Sequence, residues 1–335
     1  MGFGAVRRRA AASRVESCGN GKGRRMIQYF KVENGRLKPL PGFEEAQIVR
    51  LVAPDAAELH KIAEMTAAPP EFLSAACDKD ERPRFESDDG VHLLVLRVPH
   101  EGGADGDIPV FTVAFGLILT DRHVISVCSV DAPVWDSLNA VRGRIPDPSR
   151  RLPFICALCL CIARLYLRHL EYIRIEADRV EREIHHSMRN EMLIHMLNLE
   201  KCLVFFTTSL RGHDPLWSRL PRIQGRLPTE EEQELLDDVQ IEFKQAHDLA
   251  EIHSNILSGM MDAFASIISN NLNVVMKLLT SVTIILMLPT LIASIYGMNI
   301  NLPFQHSPHA FMITMGMSML LAVIAVLLFL RKKFL

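Results

Sequence analysis

Neither sign of charge dominates this chain. Its 335 residues carry 37 Lys and Arg against 39 Asp and Glu, a net charge of −2. That balance removes any chain-wide electrostatic attraction to nucleic acid, which is not expected among its partners. Catalytic signatures are missing as well. No Gly-rich phosphate loop, no His-Glu-x-x-His and no nucleophile elbow occurs, so the sequence predicts neither an enzyme nor an organic cofactor. Residues 1–25 are basic and rich in small residues but lack the apolar centre of a secretory signal. They read as a disordered arm.

Cysteine is sparse and scattered. The seven residues are Cys18, Cys77, Cys128, Cys156, Cys159, Cys161 and Cys202. An odd number in a long chain argues against a disulfide framework and fits a reducing compartment. Cys156, Cys159 and Cys161 read either as a metal or redox cluster or as small apolar residues of a helix. No second pair follows at zinc-ribbon spacing, which favours the helix. His185, His186 and His195 lie in a polar helical stretch without metal-ligand spacing and read as solvated surface.

The part that follows the arm is mixed. Met26–Lys31, Ala46–Val52, Val91–Val98, Val110–Leu119 and His123–Val130 read as strands. Turns are predicted at Glu33-Asn34-Gly35 and Pro69-Pro70, and helices at Ala56–Met65 and Val134–Val141. The expected fold over 26–150 is an α+β domain, a mixed sheet with helices. From Leu152 the pattern is helical. A helical hairpin is predicted over 151–228, with a polar, very charged stretch at Arg174–Arg189 and a connection at Arg211–Pro228.

Thr229-Glu230-Glu231-Glu232 is a capping-box start with acids in the first turn. From there to Tyr296 the only proline is Pro289 and the only glycine is Gly259, which predicts one helix of about 65 residues. Its first part, 229–277, is charged and amphipathic and reads as a stalk. The remainder, 278–296, holds no charge; nor does 311–330. Each is about 20 residues, the length that crosses a hydrocarbon core roughly 30 Å thick. The expected partner of both is a lipid bilayer. Lys277 precedes the first span and Arg331-Lys332-Lys333 follow the second, whereas 297–310 has no Lys or Arg. Positive charge stays inside, so 297–310 is expected to be external and both termini, with the basic tail 331–335, cytoplasmic. Two helices cannot enclose an aqueous path, so a channel would need several copies. The first span carries Thr280, Ser281, Thr283, Thr290 and Ser294, whereas Leu320–Leu330 is aliphatic and aromatic. Met287, Thr290 and Ser294 share one face, which makes the first span the pore-lining candidate.

Tyr296-Gly297-Met298-Asn299, at the outer end of the penultimate helix, is followed by a short loop and a final helix ending in basic residues. This arrangement resembles the CorA family of divalent metal ion transporters. The likeness continues inward through Asn273, Val275-Met276-Lys277, Leu279-Thr280, Met287, Thr290 and Ile295, then Ser258-Gly259 and Asp262, and more weakly Arg82-Pro83-Arg84 through Arg97. It covers 26–335 and is strong over the last hundred residues. The resemblance implies a homopentameric channel in the inner (plasma) membrane. A cytoplasmic funnel domain leads to a stalk helix that becomes the inner pore helix, ringed by the second helices. The implied cargo is magnesium, with cobalt and nickel as further candidates.

Magnesium dehydrates reluctantly, so a fast pore should recognise the hydrated ion. A selectivity filter of Gly297, Met298 and Asn299 would do so, Asn299 supplying amide oxygens that accept hydrogen bonds from bound water. Gly297 would let the backbone turn without a side chain, and Tyr296 would pack between helices. Thr290 and Ser294 would add oxygen rings, Asn273 a lower polar ring, and Leu279 and Met287 apolar constrictions. Asp262 would attract cations at the inner mouth. The resemblance further implies regulatory magnesium between neighbouring copies, held by Asp88 or Asp89 and by Asp238. The other reading of Glu86, Asp88 and Asp89 is a solvated turn before the Val91 strand.

The loop Ile300–His309 has no carboxylate, so ions should be concentrated less at the mouth. His306 and His309 are loop residues, or imidazoles suited to zinc, nickel or cobalt. The competing function is a ZntB-like zinc transporter, with or without proton coupling. That branch has Gly-Ile-Asn where this chain has Gly-Met-Asn, which favours magnesium.

Overall fold

The computed structural model describes residues 26–102, 108–140, 143–184, 190–298, 302–303 and 308–332. The predicted arm over 1–25, His185, His186, Asn299, His306 and residues 333–335 of the basic tail lie outside the described residues. The chain divides into two compact units, Met1–Ser258 and Gly259–Leu335.

Seven strands build the first unit: β1 (Met26–Glu33), β2 (Arg36–Leu40), β3 (Ile48–Val52), β4 (Arg84–Asp88), β5 (Val91–Glu101), β6 (Val110–Leu119) and β7 (Val124–Cys128). They form one mixed sheet in the order β2-β1-β3-β7-β6-β5-β4, parallel only at β3–β7. Period-two alternation sends Val49, Leu51, Leu93, Val95, Ile125 and Val127 to one face, where α1 (Ala56–Thr66) and α2 (Pro70–Ala76) cover them. Asp55 and Glu58 close a capping box at the start of α1. Gly116 lies on that face. A Cβ there would sit 2.2 Å from the Ala76 Cβ, so glycine is what lets α2 press onto the sheet.

Helices α3 (Val134–Ala140), α4 (Arg151–Ile184) and α5 (Asn190–Trp217) follow. Trp135 of α3 donates its indole N–H to Ser126 of β7 at 3.0 Å and stands beside Phe115 and Phe154. Its partners lie on β6, β7 and α4, so these helices cover the other face of the sheet. α4 is long and apolar enough to cross a membrane by composition, yet most of its apolar stretch is buried in this unit. It is a core helix.

Several local expectations change. β2 and β4 are strands that no sequence pattern announces, because both are short and mostly exposed. Pro70 does not make a turn with Pro69 but begins α2, a position where its missing N–H is no loss. Of the two readings of the charged stretch, a turn-out or a long solvated helix, the described part is the helix: it continues α4 as far as Ile184, laced by Arg174–Glu171 and Arg174–Asp178 pairs at 2.7 and 2.9 Å. The connection expected from Arg211 starts later. α5 runs through Pro215 to Trp217, because His213, Leu216 and Trp217 are buried and outweigh one lost helical hydrogen bond. A 3-10 turn (Leu220–Gln224) comes next.

The last two helices are α6 (Glu230–Tyr296), 67 residues in one run, and α7 (Ala310–Arg331). The start of α6 is the predicted capping box. Thr229 Oγ1 accepts from Glu232 N at 3.3 Å, and Glu232 accepts from Thr229 N at 3.0 Å. Arg226 adds a two-pronged bond to the Glu232 carboxylate at 2.8 and 2.9 Å. That guanidinium, then the Thr229 amide, lowers the Glu232 pKa to about 2.

In the first unit α6 buries Leu236, Val239, Phe243, Ala246, Ala250 and Leu257, and Phe243 meets a buried polar node. β4 pairs with β5 only as far as Val95, leaving the next backbone groups of β5 without a strand. Side chains replace it. His213 Nε2 accepts from Arg97 N at 3.0 Å, and the Tyr166 hydroxyl donates to Arg97 O at 3.0 Å. The His213 ring meets Phe243 of α6 edge-on at 4.9 Å, and Trp217 lies 4.7 Å from the same ring. Burial, then the Arg97 charge, pushes the His213 pKa down to about 3.

His213 is therefore neutral when folded, while an unfolded histidine titrates near 6.5. Between about pH 3 and 6.5 the unfolded chain binds the extra proton, so this contribution is complete above pH 6.5 and lost as pH falls through the window. His213→Gln keeps an acceptor and removes the titration. Thermal unfolding of the full chain in detergent should show parent stability falling faster than the variant's below pH 6, by about 1.4 kcal/mol per pH unit. Equal slopes would refute the assignment.

Candidate functional site

Unit Gly259–Leu335 holds only two helices among the described residues, the end of α6 and α7. Their buried sides identify how they pack. On α6, Ser281 and Ile292 are buried and Ile285, Leu288, Pro289 and Tyr296 half-buried. At 100° per residue all six fall on one face. On α7 the buried or half-buried residues are Ala310, Thr314, Ser318, Ala322, Ala325, Val326 and Phe329. The first four are small and recur every four residues, a pattern that suits helix packing where lipid provides no hydrophobic drive.

The predicted pore residues lie elsewhere on α6. Asn273, Leu279, Met287, Thr290 and Ser294 are all exposed. Met287, Thr290 and Ser294 lie about 120–180° from Ile292 and Ser281. α7 covers none of them. Thr290 Oγ1 donates to Met287 O at 2.8 Å, with Leu286 O at 3.4 Å. Its proton is thus spent on the helix, and its lone pairs remain for a donor outside. Asp262 is exposed too.

At the outer end, Gly297 N bonds to Ala293 O at 3.0 Å and Met298 N to Ile295 O at 3.1 Å, closing the last turn. Gly297 does not use the left-handed region that glycine alone favours. A Cβ there would lie 3.3 Å from the Ala293 carbonyl oxygen, a tight contact within the same turn. The Tyr296 hydroxyl donates to Pro303 O at 3.3 Å, holding the connection to the helix end. Sequence reasoning missed this bond, since nothing local pairs a tyrosine with a carbonyl seven residues on. His309 stands immediately before α7 and is exposed.

The regulatory candidates are in the first unit. Asp88 closes β4 opposite Val91, so Glu86 and Asp88 belong to a strand; only Asp89 and Gly90 form the turn, Asp89 with φ 42°. Asp89 lines a recess of about 560 Å³ with Glu44, Glu64, Asp121 and His123. Asp238 lies on an exposed face of α6 and does not line that recess. One chain does not bring Asp88 or Asp89 together with Asp238.

Among the described residues no three His, Cys, Asp or Glu side chains are grouped to hold a metal. Cys156, Cys159 and Cys161 are buried in α4. Burial pushes the Cys156 thiol up to about 12 and the Cys161 thiol to about 11, and Cys159 well above its ordinary value. Such thiols are neither thiolate ligands nor nucleophiles at neutral pH.

The family model for CorA-like Mg2+ transporter proteins matches residues 44–332. The cobalt/magnesium transport protein CorA of Methanocaldococcus jannaschii is 27% identical over 287 residues, 82% of this chain and 87% of that protein. In fold, the chain is similar to the complete structure of the CorA magnesium transporter from the same organism. The TM-score is 0.77 at 23% identity, over 92% of this chain and 99% of that one. The ZntB cytoplasmic domain from Vibrio parahaemolyticus matches at TM-score 0.56 and 10% identity, over 74% and 99%.

The buried thiols generate a prediction. Iodoacetamide at pH 7.5 should leave Cys156, Cys159 and Cys161 unmodified in the native protein and label all three in denaturant, read by mass spectrometry of peptides. Native labelling comparable to denatured labelling would restore the reactive-cluster reading.

Proposed function

This chain belongs to the CorA-like Mg2+ transporter family, and from that premise we propose that it moves hydrated magnesium across a lipid bilayer through a path lined by α6 from several copies. The observation that carries the reading is the division of α6 into two faces. One packs on α7; the other, with Asn273, Met287, Thr290 and Ser294, stays open and holds polar groups that lipid does not accommodate. Facing copies of the same surface around water satisfies them. Five copies, as the sequence resemblance implies, give rings of five.

The chemistry follows from the ion. Mg2+ keeps its waters, and their hydrogens, polarised by the charge, seek acceptors. Asn299 amide oxygens at the outer mouth accept them, Gly297 and Met298 shaping the entrance. Thr290 presents lone pairs because its proton is already donated. Leu279 and Met287, 60% and 67% exposed on the open face, form rings that close by shedding water. Asn273 and Asp262 receive the ion at the inner end. Cobalt and nickel, similarly hydrated, are candidate cargoes. Zinc transport of the ZntB kind has less support: that likeness is in fold alone.

Lys277 and Arg331-Lys332 support an orientation with the first unit and both termini in the cytoplasm. There Asp89, or Asp88 beside it, faces Asp238 of a neighbouring copy. The carboxylates repel until a divalent ion bridges them, so internal magnesium favours the closed packing by differential binding.

Two measurements test this. Parent protein in vesicles loaded with a magnesium dye should take up Mg2+, and Asn299→Ala should lower that flux at least about tenfold, the loss of roughly one charge-assisted hydrogen bond. Parent-like flux in the variant would remove the amide ring. Asp238→Ala should leave maximal flux intact and raise the internal magnesium giving half inhibition by about tenfold, about 1.4 kcal/mol of binding. An unshifted inhibition curve would remove the regulatory role of Asp238.

A further inference from the structure

Thr283 stands out on the open face of α6. Its Oγ1 donates to Leu279 O at 2.8 Å, the same device that Thr290 uses on Met287 O. The two threonines are seven residues apart and lie within about 20° of one azimuth. Both are exposed, and both lie about 160–180° from Ser281 and Ile292, the buried residues of the α7 side. Thr283 also falls four residues after Leu279 and four before Met287, so it stands between the two apolar constrictions.

We propose that Thr283 is a further specificity-determining residue of the path, a ring of hydroxyl oxygens that keeps the stretch between Leu279 and Met287 wet and accepts hydrogen bonds from the water carried by the cation. This deepens the proposed function and rests on α6 lining the path. Without Thr283 the face would carry no hydroxyl between Thr280, exposed just after Leu279, and Thr290, about 15 Å at 1.5 Å per residue. A hydrated divalent ion crossing it would lack acceptors for its polarised waters over that distance. The Thr283 ring cuts the longest gap to about 10 Å. The hydrogen bond to Leu279 fixes the rotamer and consumes the proton, so the oxygen faces outward as an acceptor only. That polarity suits cation-bound water and offers nothing to an anion.

A lipid-facing threonine would make the same backbone bond. Position separates the two cases. On this azimuth Thr283, Met287, Thr290 and Ser294 follow one another, and three hydroxyls in a row on the side away from α7 point to water rather than acyl chains.

Thr283→Val removes the hydroxyl and keeps the shape. Magnesium flux in vesicles should fall about tenfold or more, with the internal magnesium for half inhibition unchanged. Thr283→Ser should stay within about twofold of the parent. Thr283→Cys gives a direct readout of placement. Under conducting conditions a charged, membrane-impermeant methanethiosulfonate should block its flux, while Ile292→Cys on the α7 side and the parent stay unblocked. Parent-like flux in Thr283→Val, or no reaction at Thr283→Cys while Asn299→Ala still lowers flux, would overturn the role of Thr283 and leave the path standing. Indifference of flux to Thr283→Val and Asn299→Ala alike would overturn the path itself, and this inference with it.

Discussion

Everything proposed for this chain depends on where a polar side chain can go inside a bilayer. Hydrocarbon offers hydroxyls and amides no partners, so each must bond to its own helix, to another helix or to water. Along the end of α6 the hydroxyls sort by face. Ser281 is buried on the α7 side with no hydrogen-bond partner for its Oγ. Thr283 and Thr290 return their protons to the backbone. Their remaining lone pairs, with Ser294, stand on the opposite side, and Asn273 is exposed about 80–100° from the buried residues. A helix apolar all round would lie anywhere in lipid; this one has a side that demands water.

The acceptor-only state of those threonines matters for the choice of ion. A free hydroxyl can turn to donate to an anion or accept from a cation's water. A hydroxyl whose proton is fixed on a carbonyl three or four residues back has lost the first option. On the proposed path, selection of hydrated cations would then be built partly into helix geometry, before any carboxylate contributes. This bears on the loop Ile300–His309, which has no acidic residue. Field strength at the mouth would govern how fast ions arrive; acceptors along α6 would govern whether they pass.

What the sequence disclosed was local or uniform in character. The capping box at Thr229 and Glu232 was legible because it spans four residues and both partners are in it. The charge-free stretches were legible because length and composition alone define them. β5 and β6 announced themselves by long apolar runs. β2 and β4 did not, since an exposed five-residue strand gains its identity from the neighbour it pairs with. The run of α5 through Pro215 was hidden for a similar reason: burial of Leu216 and Trp217 is tertiary and overrides the local penalty of proline. Of the candidate site, the shared face of Met287, Thr290 and Ser294 could be counted off the sequence, whereas Thr283 gained its meaning only when the side covered by α7 was known.

The node at Arg97 and His213 shows the same logic in the first unit. Where β4 stops short, β5 would leave an N–H and a C=O without partners in a dry interior, a penalty of about 1–3 kcal/mol each. His213 and Tyr166 fill those places from α5 and α4. Because the same imidazole abuts Phe243, the edge of the sheet and α6 share one side chain. A force that turns α6 near Asp238, five residues before Phe243, is therefore resisted by backbone hydrogen bonding of the sheet and not by side-chain packing alone. Carboxylates that gain or lose an ion at Asp238 would act on a helix already braced, and a braced helix turns as a unit where a loose one would absorb the change locally.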